Sequence, residues 1–245
     1  MPLKAFSSLF PSQHRLWKHP GIRLTLLGLL VGSFFLSSCQ SSNNVSQVWS
    51  KAFGSRKIPV TLSLVYDDDL TQSTDNNAWI ASSSLAPDSY CTFNDGAYIA
   101  STDSGYNSTL SETAAVGCPR QTEEGSTTHF YAFQLTIKLT AGYAGLLFNN
   151  SEAFVVGDVT YAFYDNITGT SDTLPSAAVS GTLPSTVTFP LHIGLIYDGK
   201  CHYYLNGQEV KAGTFQQSCP GDFGAAVVDP GAKTYITEAT FWQFS

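Results

Sequence analysis

One stretch of 23 residues, Thr188 to Val210, constrains the fold of this chain more than any other. It reads TFPLHIGLIYDGKCHYYLNGQEV, and apolar side chains alternate with the others from Leu191 to Tyr197. A strand with one buried face requires this period of two. The Asp-Gly pair at 198–199 and the Asn-Gly pair at 206–207 are hairpin signals, because a type I′ turn needs positive φ at both central residues. The stretch therefore predicts three antiparallel strands joined by two tight turns.

Strand patterns continue through the rest of the chain after residue 57. Phe130 to Thr140 alternates strictly, Ala144 to Phe148 returns from it, and Pro59 to Tyr66 and Lys233 to Phe244 are further strand candidates. Only 13% of the residues are charged, Thr, Ser, Gly, Tyr and Phe are common, and no long stretch has helical period. We therefore expect one all-β domain over 58–245, which is long enough to bury a sizeable core.

Several motifs follow one another in a recognisable order. An acidic turn at 67–69 precedes Trp79, then the Cys-Thr-Phe segment 91–93, and finally the two glycine turns described above. This order resembles the concanavalin A-like lectin/glucanase jelly rolls, a group that includes laminin G modules and 3-keto-disaccharide hydrolase-like domains. The resemblance implies a two-sheet antiparallel jelly-roll sandwich with Trp79 in its core. Asn149 stands where the group has an arginine, which removes a donor that could hold a ligand.

The first 39 residues differ from the rest in charge. They contain four basic and no acidic side chains, and Ile22 to Leu36 is apolar apart from one arginine. This run is shorter than the roughly 20 residues of a spanning helix, and it ends in a Leu-Ser-Ser-Cys sequence that resembles a bacterial lipobox. We therefore expect residues 1–38 to be a lipoprotein signal peptide that is cleaved to leave a lipidated Cys39. An uncleaved single-pass anchor is the alternative.

Residues 39–57 are polar and rich in Ser and Asn, which is typical of a flexible tether. Two isolated aromatic residues, Trp49 and Phe53, interrupt it, and they dock either on the domain or on the lipid headgroups. Both versions of the leader place the domain outside the cytoplasm. We expect it to be anchored to the outer face of the bacterial cytoplasmic membrane or to the cell surface.

Four cysteines follow Cys39: Cys91, Cys118, Cys201 and Cys219. An even number in an exported protein favours two disulfides, and three pairings are possible. We expect Cys91–Cys118 and Cys201–Cys219, because each disulfide closes a short loop that contains a polar segment in need of restraint. Metal binding is the competing interpretation, but the sequence has no Cys-x-x-Cys or Cys-x-x-His spacing.

Two groups of residues could hold a metal ion. Asp67, Asp68 and Asp69 form the densest acidic cluster, and a turn could direct two of the three at a calcium ion. The alternative is an acidic turn that protects an edge strand. His192 and His202 could also share a metal across the turn at 198–199, although no third ligand is placed by spacing and two hydrogen-bonded sheet histidines are the alternative.

The aromatic residues offer a second kind of site, because sugar rings stack on exposed aromatic side chains. Tyr161, Tyr164 and Trp242 are the candidates for such a platform, and packing against the sheet is the alternative for each. Residues 40–245 contain 8 basic and 19 acidic side chains, a net charge of −11. This charge argues against nucleic acid and other anionic polymers as partners.

Catalytic motifs are missing from the sequence. It has no Glu-x-Asp-x-x-Glu run for a retaining glucanase and no Gly-x-Ser-x-Gly elbow. We therefore expect a membrane-anchored extracytoplasmic recognition domain with carbohydrate as its ligand. A glycoside-processing enzyme of the 3-keto-disaccharide hydrolase-like group and a structural surface lipoprotein without a small ligand are the alternatives.

Overall fold

The structure is a computed structural model in which Ser46–Ser245 forms one compact unit. The predicted signal peptide, 1–38, and the predicted lipidation site, Cys39, lie outside the described residues. Within the described part of the chain, no helix is both long and apolar enough to span a membrane. The description covers residues 45–71, 78–79, 82–83, 90–102, 115–120, 129–149, 151–167, 177–183, 188–213, 215 and 219–245.

One short helix and thirteen strands make up the described regular structure. The helix, α1, spans 45–53. The strands are β1 (Ser63–Asp68), β2 (Ser82–Ser83), β3 (Tyr90–Asn94), β4 (Ala97–Ser101), β5 (Ala115–Pro119), β6 (Phe130–Phe148), β7 (Glu152–Val156), β8 (Thr160–Tyr164), β9 (Ala177–Thr182), β10 (Leu191–Tyr197), β11 (Cys201–Leu205), β12 (Gln208–Val210) and β13 (Gly224–Phe244).

The two long strands, β6 and β13, pair with each other along their length and belong to two sheets. The strand order in the first sheet is β5-β13-β6-β7-β8-β9. The long strands contribute 224–228 of β13 and 144–148 of β6 to it. In the second sheet, 131–137 of β6 pairs with β10, which continues to β11 and β12. The other side of β13 there pairs with β1 and β4, and β3 and β2 follow β4. All of these pairings are antiparallel.

Both long strands bend where they pass from one sheet to the other. Gly142 in β6 and Gly231 in β13 have φ of 68° and 73°, a left-handed conformation that glycine adopts without strain. A Cβ atom at Gly142 would lie 2.5 Å from the Cβ of Ala232, so the two strands also approach each other closely here. The bend allows the same two strands to serve both sheets.

The two sheets face each other across the main hydrophobic core. Tyr203 of the second sheet contacts three phenylalanines of the first, Phe148, Phe154 and Phe163, with ring centroids 5.8, 5.1 and 4.8 Å apart. Full burial of one such side chain stabilises a fold by roughly 1.5–3 kcal/mol. Trp79, 3% exposed, lies in this core as predicted. The predicted all-β, two-sheet antiparallel sandwich is confirmed.

The hairpin between β11 and β12 has the predicted form. Leu205 pairs with Gln208, which leaves a two-residue loop. Asn206 and Gly207 have φ of 45° and 78°, as a type I′ turn requires.

The hairpin between β10 and β11 is present, but its predicted turn type is wrong. Tyr197 pairs with Cys201, so the loop has three residues, 198–200. Of these residues only Gly199, with φ of 97°, is left-handed. The backbone N–H of Asp198 donates to the carbonyl oxygen of Lys200 at 3.2 Å, which closes the loop without a type I′ turn.

Helix α1 packs on the outer face of the second sheet. Trp49 and Phe53 are each 1% exposed. The Trp49 ring lies 5.8 Å from that of Trp242, and the Phe53 ring lies 5.5 Å from that of Tyr204. Gly194 makes room for this contact, because a Cβ there would lie 2.4 Å from Phe53 Cε1.

Over the described residues 45–57, the structure differs from the expectation of a flexible tether and a domain boundary at 58, while 39–44 of the expected tether lie outside the described residues. Residues 45–57 belong to the folded chain, and the compact unit begins at Ser46. Of the two alternatives for Trp49 and Phe53, the structure shows docking on the domain. Gly54 ends the helix with φ of 60°, and its backbone lies against that of Gly207.

Both predicted disulfides are present. Cys91–Cys118 joins β3 to β5 and closes a separation of 27 residues, with the Cα atoms 5.9 Å apart. Cys201–Cys219 closes a separation of 18 residues, with the Cα atoms 6.3 Å apart. Loops of this length stabilise a fold by roughly 3 kcal/mol each in the chain-entropy model.

Candidate ligand-binding face

The outer face of the second sheet has a covered half and an open half. Helix α1 covers the half at Ala132, Ile196, Tyr204 and Trp242. Further along the same strands, the outward-facing positions are mostly polar, because side chains alternate between the two faces of a strand. We define this open half as the polar face. It contains Asp67, Gln134, Thr136, His192, Tyr235, Glu238 and Thr240.

A chain of hydrogen bonds crosses the polar face from β10 through β6 to β13. The Thr136 hydroxyl donates to Glu238 Oε2 at 2.8 Å and lies 2.9 Å from His192 Nδ1. Since the hydroxyl hydrogen is used on Glu238, Thr136 accepts from the Nδ1–H of His192. A neutral His192 therefore presents Nε2 as an acceptor.

The surroundings of His192 favour this neutral form. Burial lowers the pKa of His192 below its ordinary value, the Glu238 carboxylate opposes the shift, and the positive charge of Lys51 on α1 adds to it. The backbone N–H of His192 donates to Asn206 Oδ1 at 2.8 Å, which joins the end of β10 to the type I′ turn. The imidazole is thus held in one place, and its neutral form is favoured.

A second chain runs parallel to the first. Gln134 Nε2 donates to the Thr240 hydroxyl at 3.0 Å, and Thr240 donates to Asp67 Oδ1 at 2.9 Å. Gln134 and Thr240 are buried, whereas Asp67 is exposed at the rim. Partial burial raises the pKa of Asp67, and the negative charge of Glu238 raises it further. The hydrogen bond from Thr240 acts in the opposite direction and lowers it. Asp67 and Glu238 are therefore electrostatic neighbours.

Tyr235 lies at the border of the polar face. A register shift between Ile236 and Glu238 inserts one extra residue in β13. Tyr235 and Glu238 consequently face outward together, on the partners Lys138 and Thr136 of β6. Tyr235 is half-buried, and Lys233 Nζ lies 5.0 Å from the centre of its ring. The polar face thus has an aromatic side chain beside its hydrogen-bonding groups.

The three aspartates of the predicted calcium site are hydrogen-bonded within the protein. Asp68 faces inward and accepts from Arg120 Nε at 3.0 Å and Trp79 Nε1 at 2.9 Å. Asp69 accepts from the Thr71 hydroxyl at 3.2 Å, and Asp67 from Thr240. The described residues contain no cluster of three or more His, Cys, Asp or Glu side chains that could hold a metal ion.

The alternating directions of a strand explain why the three aspartates do not converge. Asp67 and Asp68 are consecutive in β1, so their side chains point to opposite faces of the sheet. Of the two alternatives for His192 and His202, the structure shows two sheet histidines with separate hydrogen-bond partners. His202 pairs with Ile196, four residues from His192 along β10, and its ring nitrogens contact Asp198 at 3.2 Å and Glu209 at 2.6 Å.

The predicted aromatic platform, Tyr161, Tyr164 and Trp242, is not brought together. Trp242 is 1% exposed beneath α1, so a sugar ring could not reach its face. Tyr164 is 7% exposed on the other face of the first sheet, where burial raises its pKa to about 12. Tyr161 is half-buried at the edge of the main core, with its hydroxyl 3.4 Å from the carbonyl oxygen of Lys211.

Comparisons with known proteins give solved structures only. No protein-family model and no curated protein matches the sequence. The carbohydrate-binding module CBM66 from Bacillus subtilis is 11% identical over 73% of this chain and 93% of that chain, with a TM-score of 0.39. A protein of unknown function with a galectin-like fold from Bacillus subtilis is 14% identical over 76% and 98%, with a TM-score of 0.43. SCLam, a non-specific endo-β-1,3(4)-glucanase from family GH16, is 9% identical over 77% and 94%, with a TM-score of 0.46.

Proposed function

We propose that this chain is a carbohydrate-binding lipoprotein of the extracytoplasmic space and that the polar face is its binding site. One observation carries the proposal: the His192–Thr136–Glu238 chain presents fixed polar groups on the same sheet face as Tyr235. The two disulfides support an oxidising compartment outside the cytoplasm. Attachment through Cys39 and cleavage after residue 38 are part of the proposal.

A saccharide has the chemistry that this face requires. Each sugar hydroxyl can donate to a carboxylate oxygen of Glu238 and to Nε2 of a neutral His192, and it can also accept. Hydrogen bonds to a charged carboxylate are stronger than those between neutral groups. The apolar C–H face of the sugar ring can pack on Tyr235. Because the hydrogen bonds within the face hold these groups in place before binding, little ordering cost remains.

The test is a glycan-array screen of residues 45–245, once with calcium and once with a chelator. We expect specific binding to one class of neutral glycan. A signal that the chelator removes would show that glycan binding needs calcium, and a signal that it leaves intact would exclude calcium as a requirement. A blank array under both conditions would contradict the proposal and favour a structural surface lipoprotein.

A glycoside-processing enzyme is the second candidate function. The observation that favours it is that burial, with a contribution from the Glu238 carboxylate, raises the pKa of Asp67, since a carboxyl group with a raised pKa can act as a general acid. Mass spectrometry of the array-positive glycan after incubation with the protein would detect cleavage. If cleavage occurs in the wild type and is lost in Glu238→Gln, the enzyme replaces the binding module.

A further inference from the structure

Charge is distributed unevenly along the chain after Cys39. Between Gln40 and Tyr66 there are three basic residues and no acidic one, whereas 67–245 contains 5 basic and 19 acidic residues. A protein that is acidic overall thus has a basic segment directly after its proposed anchor. Such an asymmetry orients a protein at an anionic surface, because one side is attracted and the other repelled.

The structure places this basic segment on one side of the second sheet. Helix α1 buries Trp49 and Phe53 against the sheet and leaves Lys51 exposed. In the segment that follows, Lys57 is exposed and the Val60 side chain is 96% exposed. The third basic residue, Arg56, is paired with Asp198. Two lysines that make no ion pair with any described residue and one exposed apolar side chain therefore follow one another along this segment.

The short connection to the anchor limits how the domain can turn. Six residues lie between Cys39 and Ser46, where the compact unit begins, and the seven steps of a fully extended chain span at most about 25 Å. A compact domain of this size is about 40 Å wide, from the scaling of its radius of gyration. If Cys39 is lipidated, the side that carries α1 must stay near the bilayer.

We propose that Lys51, Lys57 and Val60 form a docking surface for an anionic phospholipid bilayer, which rests on the lipidation of Cys39 in the proposed function. The lysines are attracted by the anionic headgroups, and Val60 enters the interface between headgroups and acyl chains. Because the polar face lies on the same side of the sheet as α1, it opens toward ligands near the membrane.

The test uses the lipidated full-length protein, reconstituted into vesicles of phosphatidylcholine with or without phosphatidylglycerol. Lysines are acetylated to a low extent and the labelling of each is read by mass spectrometry. We expect labelling of Lys51 and Lys57 to fall about threefold on the anionic vesicles and to recover at high salt. Lys211, whose carbonyl oxygen contacts Tyr161 beside the first sheet, is the internal control and should be labelled equally on both vesicles.

Charge reversal separates this surface from the anchor. A Lys51→Glu/Lys57→Glu variant should expose α1 on anionic vesicles, as seen from faster deuterium exchange at its N-terminal amides, while Lys211→Glu should leave that exchange unchanged. Equal labelling of Lys51 and Lys57 on both kinds of vesicle, with acylation of Cys39 verified by mass, would overturn the docking surface alone. An unacylated Cys39 would overturn both the docking surface and the proposed anchor.

Discussion

The covered half and the open half of one sheet face differ in only a few side chains. β6 contributes Ala132 to the half under α1 and Thr136 to the polar face, four residues further along. β13 contributes Trp242 to the covered half and Glu238 to the open one. The same strands therefore provide a docking surface for a helix at one end and a row of hydrogen-bonded polar groups at the other.

This difference assigns separate roles to the two halves. Burial of aromatic rings under α1 removes apolar area from water, so the covered half should contribute mainly to the free energy of unfolding. The open half holds hydrogen-bonded polar groups in fixed positions, and Asp67, His192 and Glu238 among them are at least partly exposed, so it should contribute mainly to binding. Substitutions in one half should therefore leave the property of the other half largely unchanged.

The largest expected effect is on the covered half. Trp49→Ala should lower the free energy of unfolding by about 3–5 kcal/mol, because it removes a fully buried aromatic ring that packs on Trp242. Urea denaturation of residues 45–245 measures this change. Gln47→Ala, at an exposed position of α1, is the control. A loss below about 1 kcal/mol for Trp49→Ala would show that α1 does not stabilise the domain.

Gly194 marks the place where the sheet must leave room for the helix. Gly194→Ala should cost about 1–3 kcal/mol, because the new Cβ would meet the ring of Phe53. Phe53→Leu should recover part of this loss when the two changes are combined. A double-mutant cycle by urea denaturation measures the coupling. Additive effects of the two changes would mean that Gly194 and Phe53 do not contact each other.

The open half should respond in binding rather than in stability. Glu238→Gln keeps an acceptor for Thr136 but removes the charge that a sugar hydroxyl would meet, so glycan affinity should fall about tenfold. Asp158→Asn, between β7 and β8 in the first sheet, is the control. Isothermal titration calorimetry gives both dissociation constants. Equal losses in the two variants would remove the distinction between the polar face and the rest of the surface.

The smallest expected effect is a change in the pH dependence of stability. The folded state lowers the pKa of His192 below its ordinary value of 6.5, so the unfolded state binds this proton more tightly. Stability from this group is present above pH 6.5 and is lost as the pH falls through and below that value. Between pH 7.5 and 5.5, the thermal midpoint of His192→Gln should therefore fall less steeply than that of the wild type. The difference between the two slopes should be smaller than the slope that the uptake of one full proton on unfolding would produce. The exposed His129→Gln is the control, and an unchanged slope in His192→Gln would contradict the assignment.

Features with a local signal could be predicted from the sequence. The alternation over Leu191–Tyr197 predicts a strand, and the Asn-Gly pair at 206–207 predicts a turn. Each of these features depends only on a few neighbouring residues. The disulfides followed from loop closure in the same way. The turn type at 198–200 could not be predicted from the sequence. Asp198 also forms an ion pair with Arg56, which is 142 residues away in sequence, and no local pattern shows this contact.

Helix α1 could not be predicted with the same arguments. Trp49, Ala52 and Phe53 have helical spacing, but a helix of this length is marginal by itself and forms because the sheet buries its apolar side. Its existence therefore depends on contacts with β10, β11 and β13. The same contacts bury Trp242. This is why a residue that the sequence offers as a sugar-stacking platform lies beneath a helix instead.

The polar face was missed because of one extra residue in β13. A strict period of two would place Tyr235 on the face of Phe241 and would place Glu238 with Ile236. The register shift between Ile236 and Glu238 reverses these directions, so Ile236 and Phe241 share the core while Tyr235 and Glu238 share the outside. No signal in the sequence marks that position, since Thr237 is an ordinary strand residue.

The most direct test of the account compares the two candidate aromatic positions in one titration. Calorimetry of the strongest array glycan against wild type, Tyr235→Ala and Tyr161→Ala would report three dissociation constants. If the polar face binds the glycan, Tyr235→Ala weakens binding about tenfold or more and Tyr161→Ala changes it less than about twofold, in line with the energy of an aromatic contact. The opposite order would place the ligand at the edge of the first sheet and contradict the assignment of the site.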